Sequence, residues 1–451
     1  MSESLSPWGM PDLGTAIISP LTTAFDATIS VPGSKSYTTR ALAIASVAKG
    51  TTRLRAPLFS DDSFWCSNAL KRLGIGVSSD QSEGWIEIRN TNAEFVTTDP
   101  DDLPYLGSAG TAARFLPGLV AARGRGEITL TASDQLSGRP IDGLVASLID
   151  LGVELEQPAS GSFPLKIKGG TLRGGNTFVS GETSSQYLSG LLICAPLAQT
   201  PVEIQVSNKL VQEDYVRMTL DIMSKFGVRV EHDDRFRHFR IEPQSYQGTD
   251  LTIEADASTA TCFLALAGIT GSSLKIDNIG SGTLQPDIAF AEILERMGCE
   301  VELTSISVAV LGRPGTFQGA LFDLNTCSDS TPALVAASAF ASNRVEIRGV
   351  EHIRKHESDR LSVLADMLGR FNVTCLEHRD GLTIDPDPAT ITKSLVDPHD
   401  DHRMAMAFAV IGACAKGVEI ETAACVSKTC PSFYELIRQL GVGVAFSKAQ
   451  P

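Results

Sequence analysis

Four short stretches put basic and hydroxyl side chains where a helix should begin. VPGSKSYTTR (31–40) carries Lys35, Ser36 and Arg40 behind a Pro-Gly turn, and LGSAGTAAR (106–114) carries Gly110. SGRPIDGL carries Arg139, and ETSSQYL carries Ser184, Ser185 and Gln186. Exposed amides and the helix dipole at such a start favour an anion. Taken singly, each also reads as an ordinary helix start, since Ser is a good N-cap and Pro fits the first turn. The first stretch lacks the GxxxxGK spacing of a Walker A loop, so nucleotide hydrolysis is not supported. Four such starts on one chain point to an anionic ligand.

A second group mixes acids with bases. CSDSTPAL (327–334) places Asp329 before an apolar helix, RKHESDRL (354–361) holds His356, Glu357 and Arg360, DDHRMAM (400–406) holds His402 and Arg403, and VSKTCPSF (426–433) holds Lys428. Carboxylates whose neighbours are cations suit proton transfer beside a charged substrate. Glu357 and Arg360, three residues apart, also read as a simple intrahelical pair worth about 0.2–0.5 kcal/mol. The spacings His352–His356 and His399–His402 would suit metal ligands, but no thiolate or carboxylate set accompanies them. No metal and no other cofactor is expected.

The elements that must position these residues come in repeats. Apolar, small-residue helices such as TCFLALAGITGSSLKI (from Thr261) and MAMAFAVIGACAKGVEI (from Met404) run through a turn into a strand, and this pattern occurs six times. Each is followed by an amphipathic helix closing on Gly74, Gly152, Gly227, Gly298, Asn372 or Gly441, residue types that suit a left-handed helix C-cap. Helices rich in Ala, Leu, Ile and Val with few charges should be buried on most faces, with the sheets outside. The alternative is a pair of ordinary doubly wound domains.

At 451 residues and 43% hydrophobic content the chain can fill two cores. A net charge of -15 argues against a nucleic-acid or anionic-membrane surface. Nine cysteines without a CxxC pair predict buried thiols in a reducing compartment, and the absence of a signal-like leader or a long apolar run predicts a cytoplasmic protein without a membrane segment.

Taken in order, PGSKS with Arg40, the AGT loop, RPI, SSQ, ESDRL, DHRMAM and the KT-P segment span nearly the whole chain. They resemble 5-enolpyruvylshikimate-3-phosphate synthase and its enolpyruvyltransferase relatives. The resemblance implies an α/β fold of two domains, each of three βαβαββ units with helices inside and sheets outside, an inside-out α/β barrel. It places residues 33–254 in one lobe and residues 1–32 plus 255–451 in the other, with the site in the cleft between them. It implies small-molecule substrates, no nucleic-acid or membrane partner, and a monomer.

The implied reaction moves the carboxyvinyl group of phosphoenolpyruvate onto an acceptor hydroxyl, by addition and then elimination of phosphate. Lys35, Gly110, Arg139, Gln186 and Lys428 are implied to hold the donor phosphate, and Arg360 and Arg403 its carboxylate. The proton reaching the methylene carbon is assigned to Glu357, the one leaving the acceptor to Asp329 with Lys35, and support of the intermediate to His402. The acceptor set by resemblance is Ser36, Arg40, Ser184, Ser185, Gln212, Tyr215, Asp329, His352 and His356.

Two positions depart from the shikimate pattern. Where those enzymes hold the acceptor's phosphate with a Ser and a Lys, this chain has Gln212 and His356. Losing both bonds is worth about 2–4 kcal/mol, roughly a hundredfold in affinity. The expected acceptor is therefore altered, with the 3'-hydroxyl of UMP as the candidate, because relatives in peptidyl-nucleoside antibiotic pathways use it. The alternatives are a divergent 3-phosphoshikimate 1-carboxyvinyltransferase and a catalytically silent ligand-binding paralogue.

Overall fold

A computed structural model describes residues 5–90, 94–97, 102–182, 184–313 and 317–447. The chain divides into two compact units, Gly33–Glu254 and Pro7–Pro32 with Ala255–Pro451. Ser6 goes with the first, where its amide donates to Asp61 Oδ1 at 2.8 Å.

The most apolar helices show why each unit is built with helices inside. In Ala257–Thr270 every residue through Gly268 is buried, and in His402–Cys414 every residue through Ala413 is buried. A helix apolar all round has no face to give to water. The strands behave differently: Ser273–Ile276 and Val345–Arg348 alternate between buried and more exposed positions, as expected when one sheet face covers the core and the other meets solvent.

Among the described residues there are six sheets, three in each unit. Five have four strands and one has three. In the Gly33–Glu254 unit, Asp250–Thr252 returns to pair in parallel with Arg53–Arg55, closing the first sheet with the last strand. In the other unit the N-terminal strands complete two sheets. Asp26–Ile29 pairs in parallel with Ser273–Ile276, and Thr15–Ser19 lies between Val418–Ile420 and Gly443–Ser447.

All six expected helix caps have left-handed backbone, from φ 63° at Asn372 to φ 104° at Gly298. This conformation stops each amphipathic helix and turns the chain into its next strand. Among the described residues no helix is long and apolar enough to cross a membrane.

Candidate active site

In the Gly33–Glu254 unit the polar residues cluster at helix starts. The helix Lys35–Ala45 is N-capped by Ser34, whose hydroxyl accepts from the Tyr37 amide at 3.4 Å. Gly33 before it is required sterically, because a Cβ there would meet the Ala56 carbonyl oxygen. Lys35 Nζ lies 3.8 Å from Asp62 Oδ2, a carboxylate that is itself buried.

The helix Gly110–Arg123 begins where Gly107, at φ 53°, packs against the Trp65 ring. A Cβ on Gly110 would come 2.5 Å from Arg139 Nη1, so the guanidinium rests directly on that glycine. Arg114 fixes this contact: it donates to the Gly110 carbonyl at 3.1 Å and to the Pro140 carbonyl at 3.0 Å. The Arg139 carbonyl accepts from Ser162 Oγ at 2.5 Å, and the Pro140 carbonyl from Tyr187 at 2.7 Å. Sequence reading quoted Arg114 but gave it no task, because its partners are carbonyls that no motif announces.

Ser184 caps the helix Ser185–Cys194 by accepting from the Gln186 amide at 3.2 Å, while the Ser185 hydroxyl is buried without a hydrogen-bond partner among the described residues. Arg40 is 1% exposed and works as a strut: Nε donates to Thr219 Oγ1 at 2.8 Å, Nη1 to the Ser36 carbonyl and Nη2 to the Tyr215 carbonyl, both at 3.1 Å. Gln212 sits in left-handed backbone (φ 52°) at the start of Glu213–Lys225, and its side chain makes no cap bond. The neighbouring acids Glu213 and Asp214 are taken up by Arg217, at 2.6 and 3.4 Å.

The other unit holds a knot of charge centred on Arg360, which is 1% exposed. Nε donates to Asp401 Oδ2 at 2.9 Å, Nη1 to Asp329 Oδ1 at 3.0 Å and Nη2 to Glu357 Oε2 at 2.9 Å. Burial alone would lower the guanidinium's proton affinity, but Asp401, Glu357 and Asp329 outweigh it and hold its pKa above the ordinary value. Arg403 Nη2 adds a bond to Asp329 Oδ2 at 3.2 Å. Lys428 is buried at the end of the short helix Ala423–Lys428.

The Glu357–Arg360 pair is not the intrahelical one that spacing allowed. The helix begins at Arg360, so Glu357 stands in the turn before it. Asp359 caps the helix by accepting from the Ser362 amide at 3.2 Å, and Arg354 rivets the turn to Asp359 and Glu377 at 3.0 and 2.6 Å. Asp401 is the residue sequence reasoning missed. Fully buried, it accepts from the Arg403 amide at 3.0 Å as N-cap of His402–Cys414 while gripping Arg360. Its position before a helix signalled a cap, but nothing local signalled the arginine. His402 opens that helix, with Nδ1 3.7 Å from Asp401 Oδ1.

His356 is held as a neutral donor. Arg360 has no acceptor atoms, so in the 3.2 Å contact between Arg360 Nη1 and His356 Nδ1 the imidazole must accept, which leaves its proton on Nε2. Burial, helped by the Arg360 charge, lowers its pKa to about 3. His352 bonds Ser328 Oγ through Nε2 at 2.8 Å, and its ring lies 5.9 Å from that of His356. Among the described residues no group of three or more His, Cys, Asp or Glu is arranged to hold a metal ion.

This arrangement offers two guanidinium groups, a buried ammonium and carboxylates able to exchange protons beside an anion. The family profile described as EPSP synthase (3-phosphoshikimate 1-carboxyvinyltransferase) matches residues 21–437. The chain belongs to the EPSP synthase family. It is 40% identical over 443 residues, 98% of each chain, to a protein of Halalkalibacterium halodurans named 3-phosphoshikimate 1-carboxyvinyltransferase 2. A Nostoc protein named 3-phosphoshikimate 1-carboxyvinyltransferase is 37% identical over 424 residues, 94% of this chain and 98% of the relative.

Solved structures share the fold. EPSP synthase from Acinetobacter baumannii superposes with a TM-score of 0.80 at 24% identity, covering 96% of this chain and 100% of the other. The enolpyruvyl transferase NikO from Streptomyces tendae gives 0.79 at 16% identity, covering 98% and 100%. The two-domain enolpyruvyltransferase fold and the transferase class are thus established for this chain.

Proposed function

We propose that this enolpyruvyl transferase acts on phosphoenolpyruvate and the free hydroxyl of shikimate 3-phosphate. The acceptor oxygen bonds to C2 of the donor, and its proton passes to Asp329, assisted by Lys35. Glu357 delivers a proton to C3, giving a tetrahedral ketal. Glu357, now ionised, takes a proton back from C3 as the bond from C2 to the phosphate oxygen breaks, and phosphate leaves. Lys35, Gly110, Arg139, Gln186 and Lys428 hold the donor phosphate and Arg360 and Arg403 its carboxylate. His402 supports the ketal. Cations stabilise this chemistry because the negative charge moves between oxygens as the ketal forms and collapses.

The observation that carries the reading is the Arg360 knot, which gathers Asp329, Glu357 and the Arg403 partner of Asp329 into one cluster. The acceptor is supported by the relatives at 37–40% identity, which bear the shikimate name over nearly their whole length. UMP, the candidate from the sequence, gains nothing from them, and the likeness to NikO concerns fold. The remaining acceptor-side residues are Ser36, Arg40, Ser184, Ser185, Gln212, Tyr215, His352 and His356. A second reading, an acceptor without a phosphate at the His356 position, is favoured by the uncharged state of that imidazole.

The test is phosphate release from phosphoenolpyruvate with shikimate 3-phosphate and UMP offered separately. Turnover of shikimate 3-phosphate is expected. Turnover of UMP alone would overturn that acceptor in favour of the second reading, and no release with any acceptor would point to a silent paralogue.

A further inference from the structure

One buried carboxylate has no part in the reaction as described. Asp287 is 1% exposed, in the short helix Pro286–Ala289. Its Oδ1 accepts from Ser330 Oγ at 2.6 Å, and its Oδ2 from Ser258 Oγ in a very short contact. Ser330 directly follows Asp329 in the turn Ser328–Ser330, so Asp287 grips that turn from the core side. The segment carrying Asp287 is itself pinned. Gln285 Oε1 accepts from the Ala257 amide at 3.1 Å, and Gln285 Nε2 donates to the Ala255 carbonyl at 2.6 Å.

The charged groups that act on Asp287 are Asp329, which repels its anion, and Arg403, which attracts it. The Cys327 thiol feels its charge, and Asp256 acts on the same Arg403. From the other packed elements it meets the hydroxyls of Ser258 and Ser330. Burial first, then Asp329, pushes the Asp287 carboxyl up to about 6. Arg403 bonds Asp329 at 3.2 Å, and its charge also acts on Asp287 and Asp256.

We propose that Asp287 is a positioning residue for the deprotonation of the acceptor: through Ser330 it holds the turn carrying Asp329 and sets a second buried carboxylate beside it. This rests on Asp329 being the group that receives the acceptor's proton. Repulsion between like charges is mutual, so an ionised Asp287 makes Asp329 a stronger base without touching substrate or taking the proton itself. The proton passes from the acceptor hydroxyl to Asp329 in either case. What Asp287 changes is the pH at which Asp329 is free to receive it.

The experiment is the pH profile of kcat/KM for Asp287→Asn, read by phosphate release from phosphoenolpyruvate with shikimate 3-phosphate, or with UMP if only UMP turns over. Removing the charge relieves the like-charge repulsion on Asp329. The acid limb should move down by about half to one pH unit and kcat should fall about tenfold, with KM for phosphoenolpyruvate changed less than about twofold. An equal loss at every pH would reduce Asp287 to a structural residue, and an unchanged enzyme would remove its role; both overturn the proposal. If Asp287→Asn does not fold, Ser258→Ala replaces it. That change raises the protonated share of Asp287, and should move the limb in the same direction by less; a limb left at the wild-type position overturns the proposal. Asp329→Asn separates the two ideas: full activity there defeats the reading of Asp329, whereas loss of activity there with an unshifted Asp287→Asn defeats this inference alone.

Discussion

The two units present their functional side chains in opposite electrostatic conditions. In Gly33–Glu254, Lys35 and Arg139 stand at loop-to-helix junctions, partly accessible, with Asp62 Oδ2 at 3.8 Å from Lys35 Nζ. In the other unit Arg360 is out of solvent and bonded to three carboxylates. On the proposed reading Lys35 and Arg139 meet the donor phosphate. The other unit has its charge compensated by its own carboxylates, so on the proposed reading the donor carboxylate competes with Asp329 or Glu357 for Arg360. A buried charge needs such partners because desolvation is otherwise prohibitive.

The strongest way to break this comparison is to remove the central cation. Arg360→Met would take the shared cation from three carboxylates and should destabilise the fold by about 3–5 kcal/mol. Arg139→Met, at the accessible site, should shift stability by less than about 1 kcal/mol. Urea unfolding of both variants measures the contrast, and equal losses would erase it.

A smaller effect sharpens the other side. Gly110→Ala sets a methyl group 2.5 Å from Arg139 Nη1. The flexible guanidinium must yield, since the backbone there does not obstruct. KM for phosphoenolpyruvate should rise about tenfold, the equivalent of one charge-assisted hydrogen bond, while the urea midpoint stays near wild type. An unchanged KM would detach Arg139 from the donor.

The third effect concerns His356 and is read only in acid. Its folded pKa is lowered to about 3, so below the ordinary histidine value of about 6.5 the unfolded chain takes up a proton that the folded site refuses. Stability is therefore present above about pH 6.5 and is lost as pH falls towards 3. Replacing His356 by Gln should flatten the fall in urea midpoint between about pH 6.5 and pH 4; an equally steep fall would mean that His356 is not what loses stability in acid.

Much of this was legible in the chain before any coordinates. Helices such as TCFLALAGIT are too apolar to have a wet face, which required them to be interior, and the cap residues from Gly74 to Gly441 marked where six amphipathic helices stop. The residues proposed for the donor, Lys35, Arg139, Arg360 and Arg403, also stand in short motifs that can be read from the chain. These are local properties, set by propensity, periodicity and backbone conformation within a few residues.

Only tertiary structure decided which charges meet. Asp401 reaches Arg360 across 41 residues, Arg403 reaches Asp329 across 74, and Ser330 reaches Asp287 across 43. The same holds for Arg114, which reaches the Pro140 carbonyl across 26 residues. Ion pairing and pKa depend on distance and burial, and both are set by packing between segments remote in the chain.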